Sequence, residues 1–148
     1  MQLKEQITKS CKSTNLFGDF LMYRKIFHGE TDQNEYVTVE EFIPGDFTKY
    51  INNNGLVCAD PSDIIGQKAE CLTHFSYHKT DKQLMLVDIQ DNGHDLFDPE
   101  IASTEIVDDE INYLYCTGNL SDMAISTFIR EHKCNMFCAL AELPTLQK

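Results

Sequence analysis

The sequence contains few basic residues and no long apolar run. It has 12 Lys and Arg against 24 Asp and Glu, a formal net charge of −12 over 148 residues. Non-specific binding to nucleic acid or to an anionic membrane requires a basic face, so this balance argues against both partners. No stretch reaches the roughly eighteen apolar residues of a membrane span, and no apolar segment of a secretory signal follows the N-terminal Met-Gln-Leu-Lys-Glu-Gln. We therefore predict a cytoplasmic protein.

Glycine is scarce in the first part of the chain. Only Gly18 and Gly29 precede Glu40, and neither lies in a pattern that cradles phosphate. The length predicts a single domain that can bury a real core. The six cysteines are expected to be thiols or metal ligands rather than disulfides, since disulfides are rare in the cytosol.

The alternation of apolar and polar residues predicts a mixed α/β (α+β) protein. Helices are predicted over residues 2–17, 61–77 and 121–131, with Ser121 as the N-cap of the last. Strands are predicted over residues 20–27, 36–43 and 83–90, the first two joined as a hairpin. Residues 91–110 are predicted as mostly polar loop, with a short strand near residues 105–107.

The stretch Leu84–Pro99 begins as an apolar run typical of a buried strand and then becomes acidic. One interpretation is a strand followed by a solvated acidic turn. The other is a site for a hard cation such as Mg²⁺, which takes oxygen ligands. The polar side chains that follow the apolar run are Asp88, Gln90, Asp91, Asp95 and Asp98.

A second candidate site lies near the C-terminal end, in the pattern His-x-Cys-x-x-x-Cys formed by His132, Cys134 and Cys138. Cys134 and Cys138 are one helical turn apart, so both thiols can face one side. A structural zinc ion requires four ligands. Residues on the helix predicted over 61–77, or just beyond it, could supply the fourth ligand. In the alternative interpretation the three residues are unrelated, and His74 is a buried histidine of the core. The candidates for the fourth ligand are His74, His78 and Cys71.

Taken in order, these segments resemble the alpha-type (atypical) protein kinases over residues 2–143. The matching segments are Val-Glu-Glu-Phe-Ile-Pro-Gly-Asp-Phe-Thr-Lys-Tyr at 39–50, Asn-Asn-Asn-Gly at 52–55, Leu-Thr-His-Phe-Ser-Tyr at 72–77, Val-Asp-Ile-Gln at 87–90, Phe-Asp-Pro at 97–99, Gly-Asn-Leu at 118–120, and the His-Cys pattern.

The resemblance implies a two-lobed, protein-kinase-like fold. Residues 1–43 would be a truncated N-terminal lobe and hinge, lacking the first strands of the family's domain, and residues 44–148 the C-terminal lobe. The resemblance also implies a structural zinc held by His74, His132, Cys134 and Cys138, and so selects His74 over His78.

The resemblance further implies transfer of the ATP γ-phosphoryl group to Ser or Thr of a protein substrate, with Mg²⁺ as cofactor. Phosphoryl transfer depends on positioning and on neutralising charge around the phosphates. Asp88 would act on the substrate hydroxyl or the transition state, and Gln90 and Asp98 would hold Mg²⁺. Glu40 would lie at the hinge that reads adenine. Lys49 and Asn53 would approach the nucleotide.

The sequence departs from the family where glycines are expected. Asp91 follows Gln90 in place of a glycine, and Cys116 and Ser121 replace two of the three glycines of a Gly-x-Gly-x-x-Gly loop associated with peptide substrate. Positions that need a left-handed backbone or a close approach favour glycine. These departures leave a second hypothesis, in which the chain is a zinc-stabilised pseudokinase or binding module without catalytic activity.

Overall fold

The computed structural model describes residues 2–10 and 14–146. Eight short strands and four helices form a mixed α+β arrangement, which agrees with the predicted fold class. No helix in the described ranges is long and apolar enough to cross a membrane. The strands are β1 Met22–Tyr23, β2 Ile26–Glu30, β3 Tyr36–Glu40, β4 Thr48–Lys49, β5 Leu84–Val87, β6 Gln90–Asn92, β7 Asp95–Phe97 and β8 Glu100–Ser103, and the helices are α1 Gln2–Ser10, α2 Ile64–Lys79, α3 Ser121–Glu131 and α4 Met136–Leu140.

Three small sheets organise the strands. A four-stranded sheet has the order β1-β7-β6-β4, while β2 pairs with β3 and β5 pairs with β8. β1 runs parallel to β7, and the other pairs are antiparallel. The predicted hairpin is therefore confirmed as β2–β3, which ends at Glu40 rather than at residue 43.

Helix α2 starts where a side chain caps it. The Asp63 carboxylate accepts a hydrogen bond from the backbone N–H of Ile65 at 2.9 Å, which satisfies one of the free N–H groups of the first turn. His78 and Lys79 lie in the last turn, where a positive charge interacts favourably with the negative end of the helix dipole. The predicted start at residue 61 was too early, because Asp60 forms a turn with Ser62 instead.

Two apolar clusters pack on opposite sides of α2. The larger cluster joins α2 to β5, β7, β8 and α3 and includes Ala69, Val87, Leu96, Ala102 and Phe128. The smaller cluster joins α1, α2 and α4. Its buried members are Ile7, Phe17, Cys71, Phe137, Cys138 and Ala141.

The structure corrects several predicted boundaries. Of the helix predicted over residues 2–17, the structure describes α1 over Gln2–Ser10 and a 3-10 turn at Thr14–Leu16, and residues 11–13 lie outside the described ranges. The strand predicted over residues 83–90 is interrupted at Asp88, whose φ is 54°. The predicted polar loop contains β7 and β8, and its predicted short strand is reduced to a single bridge between Val107 and Tyr113.

Ser121 is the first residue of α3 rather than its N-cap. The cap position belongs to Leu120, which makes no side-chain hydrogen bond there. The side chain of Asn119 accepts from the N–H of Ser121 at 2.9 Å and from the N–H of Ser103 at 3.1 Å. Asn119 therefore joins the end of β8 to the start of α3.

Candidate active site and metal centre

Asp88 and Asp98 lie where the antiparallel pairing of two chain segments is interrupted, at residues 88–89 of one segment and 98–99 of the other. We call this interruption the acidic break. Val87 lies opposite Glu100, and Gln90 lies opposite Phe97, in the same register. By that register the unpaired residues Asp88 and Ile89 face Asp98 and Pro99. Asp88 has a φ of 54° and Asp98 a φ of 49°. Both aspartates thus adopt the left-handed conformation, which Asp tolerates better than most residues, at the same level of the two strands.

Lys49 supplies positive charge to this break. Its Nζ lies 2.7 Å from Oδ1 of Asp88, and the Asp88 side chain is only 9% exposed. Lys49 lies opposite Gln90 in the β4–β6 pair. The structure therefore brings together three residues that were predicted to act at one site, Lys49, Asp88 and Gln90, with Asp98 across the break.

Two groups at this site were not predicted from the sequence, Glu100 and Tyr23. Oε2 of Glu100 and the hydroxyl of Tyr23 are buried without a hydrogen-bond partner in the part of the chain that the structure describes. Burial raises the pKa of Glu100, and the charges of Asp88 and Asp98 raise it further. Burial followed by the same two carboxylates also raises the pKa of Tyr23. Unpartnered polar atoms beside carboxylates fit a site that receives a cation, so the residues present suit Mg²⁺.

A cavity of about 620 Å³ lies between β1 and the β2–β3 hairpin, and Tyr23 and Glu40 both line it. This volume is within the range of small-molecule sites. The charges of Asp88 and Asp98, which raise the pKa of Tyr23 after burial does, act on the same side chain. Glu40 therefore lines the same cavity as Tyr23.

Asn53 lies in the predicted turn at 52–55. The N–H of Gly55 donates to the carbonyl of Asn52 at 2.9 Å, and Gly55 has a φ of 79°. A Cβ on Gly55 would lie 2.0 Å from the carbonyl oxygen of Ala124. The turn thus packs against α3, and the side chain of Asn53 makes no hydrogen bond within the described residues.

Asp91 does not join the acidic break. It is 2% exposed, and its carboxylate accepts a hydrogen bond from the hydroxyl of Tyr50. Burial raises the pKa of Asp91, and the Tyr50 hydrogen bond offsets part of that rise. The other charged groups that act on Asp91 are Asp63, His94 and Asp95.

The two other residues that stand where the family has glycine, Cys116 and Ser121, differ in backbone conformation. Ser121 has a φ of 48°, a conformation that favours glycine, whereas Cys116 is not among the residues with positive φ. The expectation of strain therefore holds for Ser121 and not for Cys116.

A cluster of four potential metal ligands joins α2 to the C-terminal segment. One ligand atom from each of His74, His132, Cys134 and Cys138 lies within 4.8 Å of the others. Nδ1 of His74 is 3.8 Å from Sγ of Cys134, and Nε2 of His132 is 3.6 Å from Sγ of Cys138. Zinc bonds of about 2.3 Å to sulfur and about 2.0 Å to nitrogen at the tetrahedral angle place such atoms about 3.5 Å apart. The set therefore fits zinc in both chemistry and spacing.

The surroundings of this cluster include a carboxylate that the sequence did not reveal. Nδ1 of His132 lies 2.6 Å from Oε2 of Glu70. Burial alone would lower the pKa of His132, but its contacts with Cys138 and Glu70 raise the pKa to about 9. A carboxylate on the far nitrogen of a ligand histidine fixes its tautomer and orientation. Glu70 and His74 are one helical turn apart on α2, and that spacing is a signal that sequence reasoning could have used.

The other two candidates for the fourth ligand are outside the four-residue cluster. His78 is exposed. Cys71 is buried, and its thiol hydrogen-bonds to Cys138, which lowers the pKa of Cys138 and raises that of Cys71. Cys71 thus lies beside the four-residue cluster as a protonated thiol.

Comparison with known proteins identifies the family. The alpha-kinase family model matches residues 2–138. The chain belongs to the alpha-kinase family. Among curated relatives of this alpha-kinase chain, transient receptor potential cation channel subfamily M member 6 of Mus musculus is 32% identical over 115 residues, covering 78% of this chain and 6% of the relative. Myosin heavy chain kinase B of Dictyostelium discoideum is 29% identical over 120 residues, covering 81% of this chain and 15% of the relative.

Solved alpha-kinase domains match nearly the whole chain. The C-terminally truncated alpha-kinase domain of myosin heavy chain kinase matches with a TM-score of 0.71 and 25% identity, covering 98% of this chain and 58% of that one. The alpha-kinase domain of myosin heavy chain kinase A in complex with AMPPCP matches with a TM-score of 0.67 and 25% identity, covering 96% and 56%. The chain thus spans little more than half the length of these solved domains and a small fraction of the curated relatives.

Proposed function

We propose that this chain forms the catalytic centre of an ATP-dependent protein serine/threonine kinase. The observation that carries the proposal is the acidic break, where Asp88 and Asp98 leave two paired strands at the same level and Lys49 contacts Asp88. Phosphoryl transfer requires fixed groups that position phosphates and neutralise their charge. Family membership supports this assignment.

Each predicted residue has a role in this proposal. Asp88 positions the substrate hydroxyl and accepts its proton, and Lys49 holds the Asp88 carboxylate and contacts phosphate. Gln90 and Asp98 are the residues that would hold Mg²⁺, which supplies neutralisation of the phosphate charge when bound. Glu40 reads adenine from the cavity beside Tyr23. Asn53 approaches the nucleotide from the turn at 52–55.

The relatives support a nucleotide at this site. The related myosin heavy chain kinase A domain binds AMPPCP, and we transfer nucleotide binding to this chain by homology. We assign residues 1–43 to the nucleotide-facing lobe and hinge, and residues 44–148 to the C-terminal lobe.

We assign the four-residue cluster to one structural zinc. All four ligands come from the protein, which leaves no open position for chemistry. His74 lies on α2, His132 follows α3, and Cys138 lies on α4, so zinc would fasten three helices together. The expected result is one zinc per chain by elemental analysis, lost in Cys134→Ser and retained in Cys58→Ser, whose exposed thiol is outside the cluster. Absence of zinc from the wild type would refute the assignment.

The activity test measures transfer of ³²P from ATP to the chain itself and to a mixture of proteins, followed by identification of the labelled amino acid. Asp88→Ala and Asp98→Ala are each expected to reduce incorporation by about 100-fold or more, since each removes a group that acts on the reacting atoms. Asp109→Ala, at an exposed loop position, is the matched control. Equal labelling in Asp88→Ala and the wild type would refute the role of Asp88.

One observation favours the pseudokinase alternative. Ser121 stands in a left-handed conformation where the family's substrate loop has glycine. The alternative predicts full zinc occupancy with no thermal stabilisation by ATP and Mg²⁺, whereas the kinase proposal predicts stabilisation that Asp98→Ala removes.

A further inference from the structure

Glu100 is the first residue of β8 and lies at the edge of the acidic break. It is opposite Val87, the residue before Asp88, and it follows Asp98 by two positions. Its Oε2 is buried without a hydrogen-bond partner within the described residues. The charges of both aspartates act on its carboxyl group, as does the charge of Lys49. Glu100 therefore shares one environment with three residues of the proposed catalytic centre.

The neighbouring loop leaves room for this carboxylate. A Cβ built on Gly118 would lie 2.3 Å from Oε1, 2.4 Å from Oε2 and 2.5 Å from Cδ of Glu100. Any side chain at position 118 would displace the whole carboxyl group, since Cβ atoms do not approach other atoms so closely. The Glu100 carboxyl group can therefore occupy this position only because residue 118 is a glycine.

The charges at the break do not balance. Three carboxylates, those of Asp88, Asp98 and Glu100, are near a single ammonium group, that of Lys49. Asp88 is 6% exposed, and its only partner among the described residues is Lys49. A buried carboxylate offers about four acceptor positions, so Asp88 is under-satisfied as well. With all three acids ionised, two negative charges are uncompensated, which equals the charge of one divalent cation.

We propose that Glu100 is a third acidic ligand for the divalent cation at this site, in addition to Gln90 and Asp98. This inference rests on the proposed function and deepens it, because it assigns a cation-binding residue that the resemblance did not indicate. Oxygen ligands from carboxylates are those that Mg²⁺ and Mn²⁺ prefer. A ligand with a full charge also allows the site to bind the cation before nucleotide arrives, since the protein then supplies the compensating charge by itself.

The experiment measures Mn²⁺ binding to the nucleotide-free, zinc-loaded chain by electron paramagnetic resonance, with Mg²⁺ as competitor. Glu100→Gln keeps the shape of the side chain and removes its charge, and we expect the Kd for Mn²⁺ to rise about tenfold or more. Gly118→Ala keeps the acid and displaces it, so we expect a rise in the same direction. Glu105→Gln, on the exposed segment just after β8, is the matched control and should bind as the wild type does.

The outcomes separate this inference from the proposed function. If the wild type binds Mn²⁺, Asp98→Asn weakens binding, and Glu100→Gln binds as tightly as the wild type, the inference is wrong and the proposed function stands. If the wild type does not bind Mn²⁺ without nucleotide, the inference is wrong, and Mn²⁺ binding in the presence of AMPPCP then tests the cation role of Asp98 separately. Circular dichroism of each variant confirms that the fold is intact.

Discussion

Ser121 begins α3 with a φ of 48°, where a side chain is strained and glycine is not. Its hydroxyl lies 3.4 Å from the carbonyl oxygen of Thr104, a long hydrogen bond. Ser121→Gly is therefore expected to raise the free energy of unfolding by about 1 kcal/mol, measured by urea denaturation. Ser126→Gly, an exposed position inside the same helix, should instead lower it by about 0.5 kcal/mol. A loss of stability in Ser121→Gly would show that the hydroxyl outweighs the strain.

Asp91 places a carboxylate in the interior beside Tyr50, with its Oδ2 unpartnered within the described residues. Burial raises its pKa above the ordinary 3.8. The folded state then binds a proton more readily than the unfolded state, so stability falls as the pH rises from about that value through the raised pKa. Asp91→Asn keeps a hydrogen-bond acceptor for Tyr50 and removes the charge.

Asp91→Asn should therefore unfold at a higher urea concentration than the wild type at pH 7.5, and the difference should shrink as the pH is lowered toward 3.8. Urea midpoints at a series of pH values measure this difference. Asp109→Asn, at an exposed position, controls for the change in net charge. A difference that is constant across the series would contradict the assigned cause.

The residues that sequence reasoning found are those with local patterns. The His-x-Cys-x-x-x-Cys spacing identified His132, Cys134 and Cys138, and the acidic stretch identified Asp88 and Asp98. Glu70, Glu100 and Tyr23 were missed because their roles depend on contacts between distant parts of the chain, with Glu70 separated from His132 by 62 positions. Only Glu70 had a local signal, its spacing of one helical turn from His74.

At the scale of elements, the interruption of one long hairpin explains the site. The apolar run from residue 84 predicted a continuous strand, and the register does continue through β5–β8 and β6–β7. The apolar pattern could not predict the left-handed conformation of Asp88, because it indicates which side chains share a face of the strand and not the backbone angle φ of each residue. β7 and β8 were missed for a related reason: each is a short strand of three or four residues within a polar sequence.

Glu70 links α2 to the segment between α3 and α4 through His132. Glu70→Gln keeps the side-chain shape but replaces a charged acceptor of the His132 N–H with a neutral one. We expect zinc affinity to fall by about 10- to 100-fold, measured by competition with a chromophoric chelator. Glu131→Gln, next to His132 but exposed and paired with Arg130, is the matched control. Equal affinities in the two variants would show that Glu70 does not position the ligand.

At the scale of the whole molecule, stability is expected to be uneven. The β2–β3 hairpin pairs only with itself among the named strands, and it exposes Phe27, Tyr36 and Val39 at 63%, 74% and 57%. An isolated two-stranded hairpin is only marginally stable in water. By contrast, α2, β5 and α3 share the larger apolar cluster, in which Val87 and Ile89 are fully buried.

Hydrogen exchange should therefore separate two regions of the chain. Amides of β2 and β3 should exchange through local opening at a free energy well below that of global unfolding, whereas amides of α2 and β5 should exchange only near the global value. Exchange followed by mass spectrometry at increasing low concentrations of urea measures both. Adding zinc after chelation should increase protection in α2 and α4, which carry residues of the four-residue cluster, and leave β2 and β3 unchanged, because the hairpin carries none. Equal protection in hairpin and core would mean that the hairpin opens only when the whole molecule unfolds.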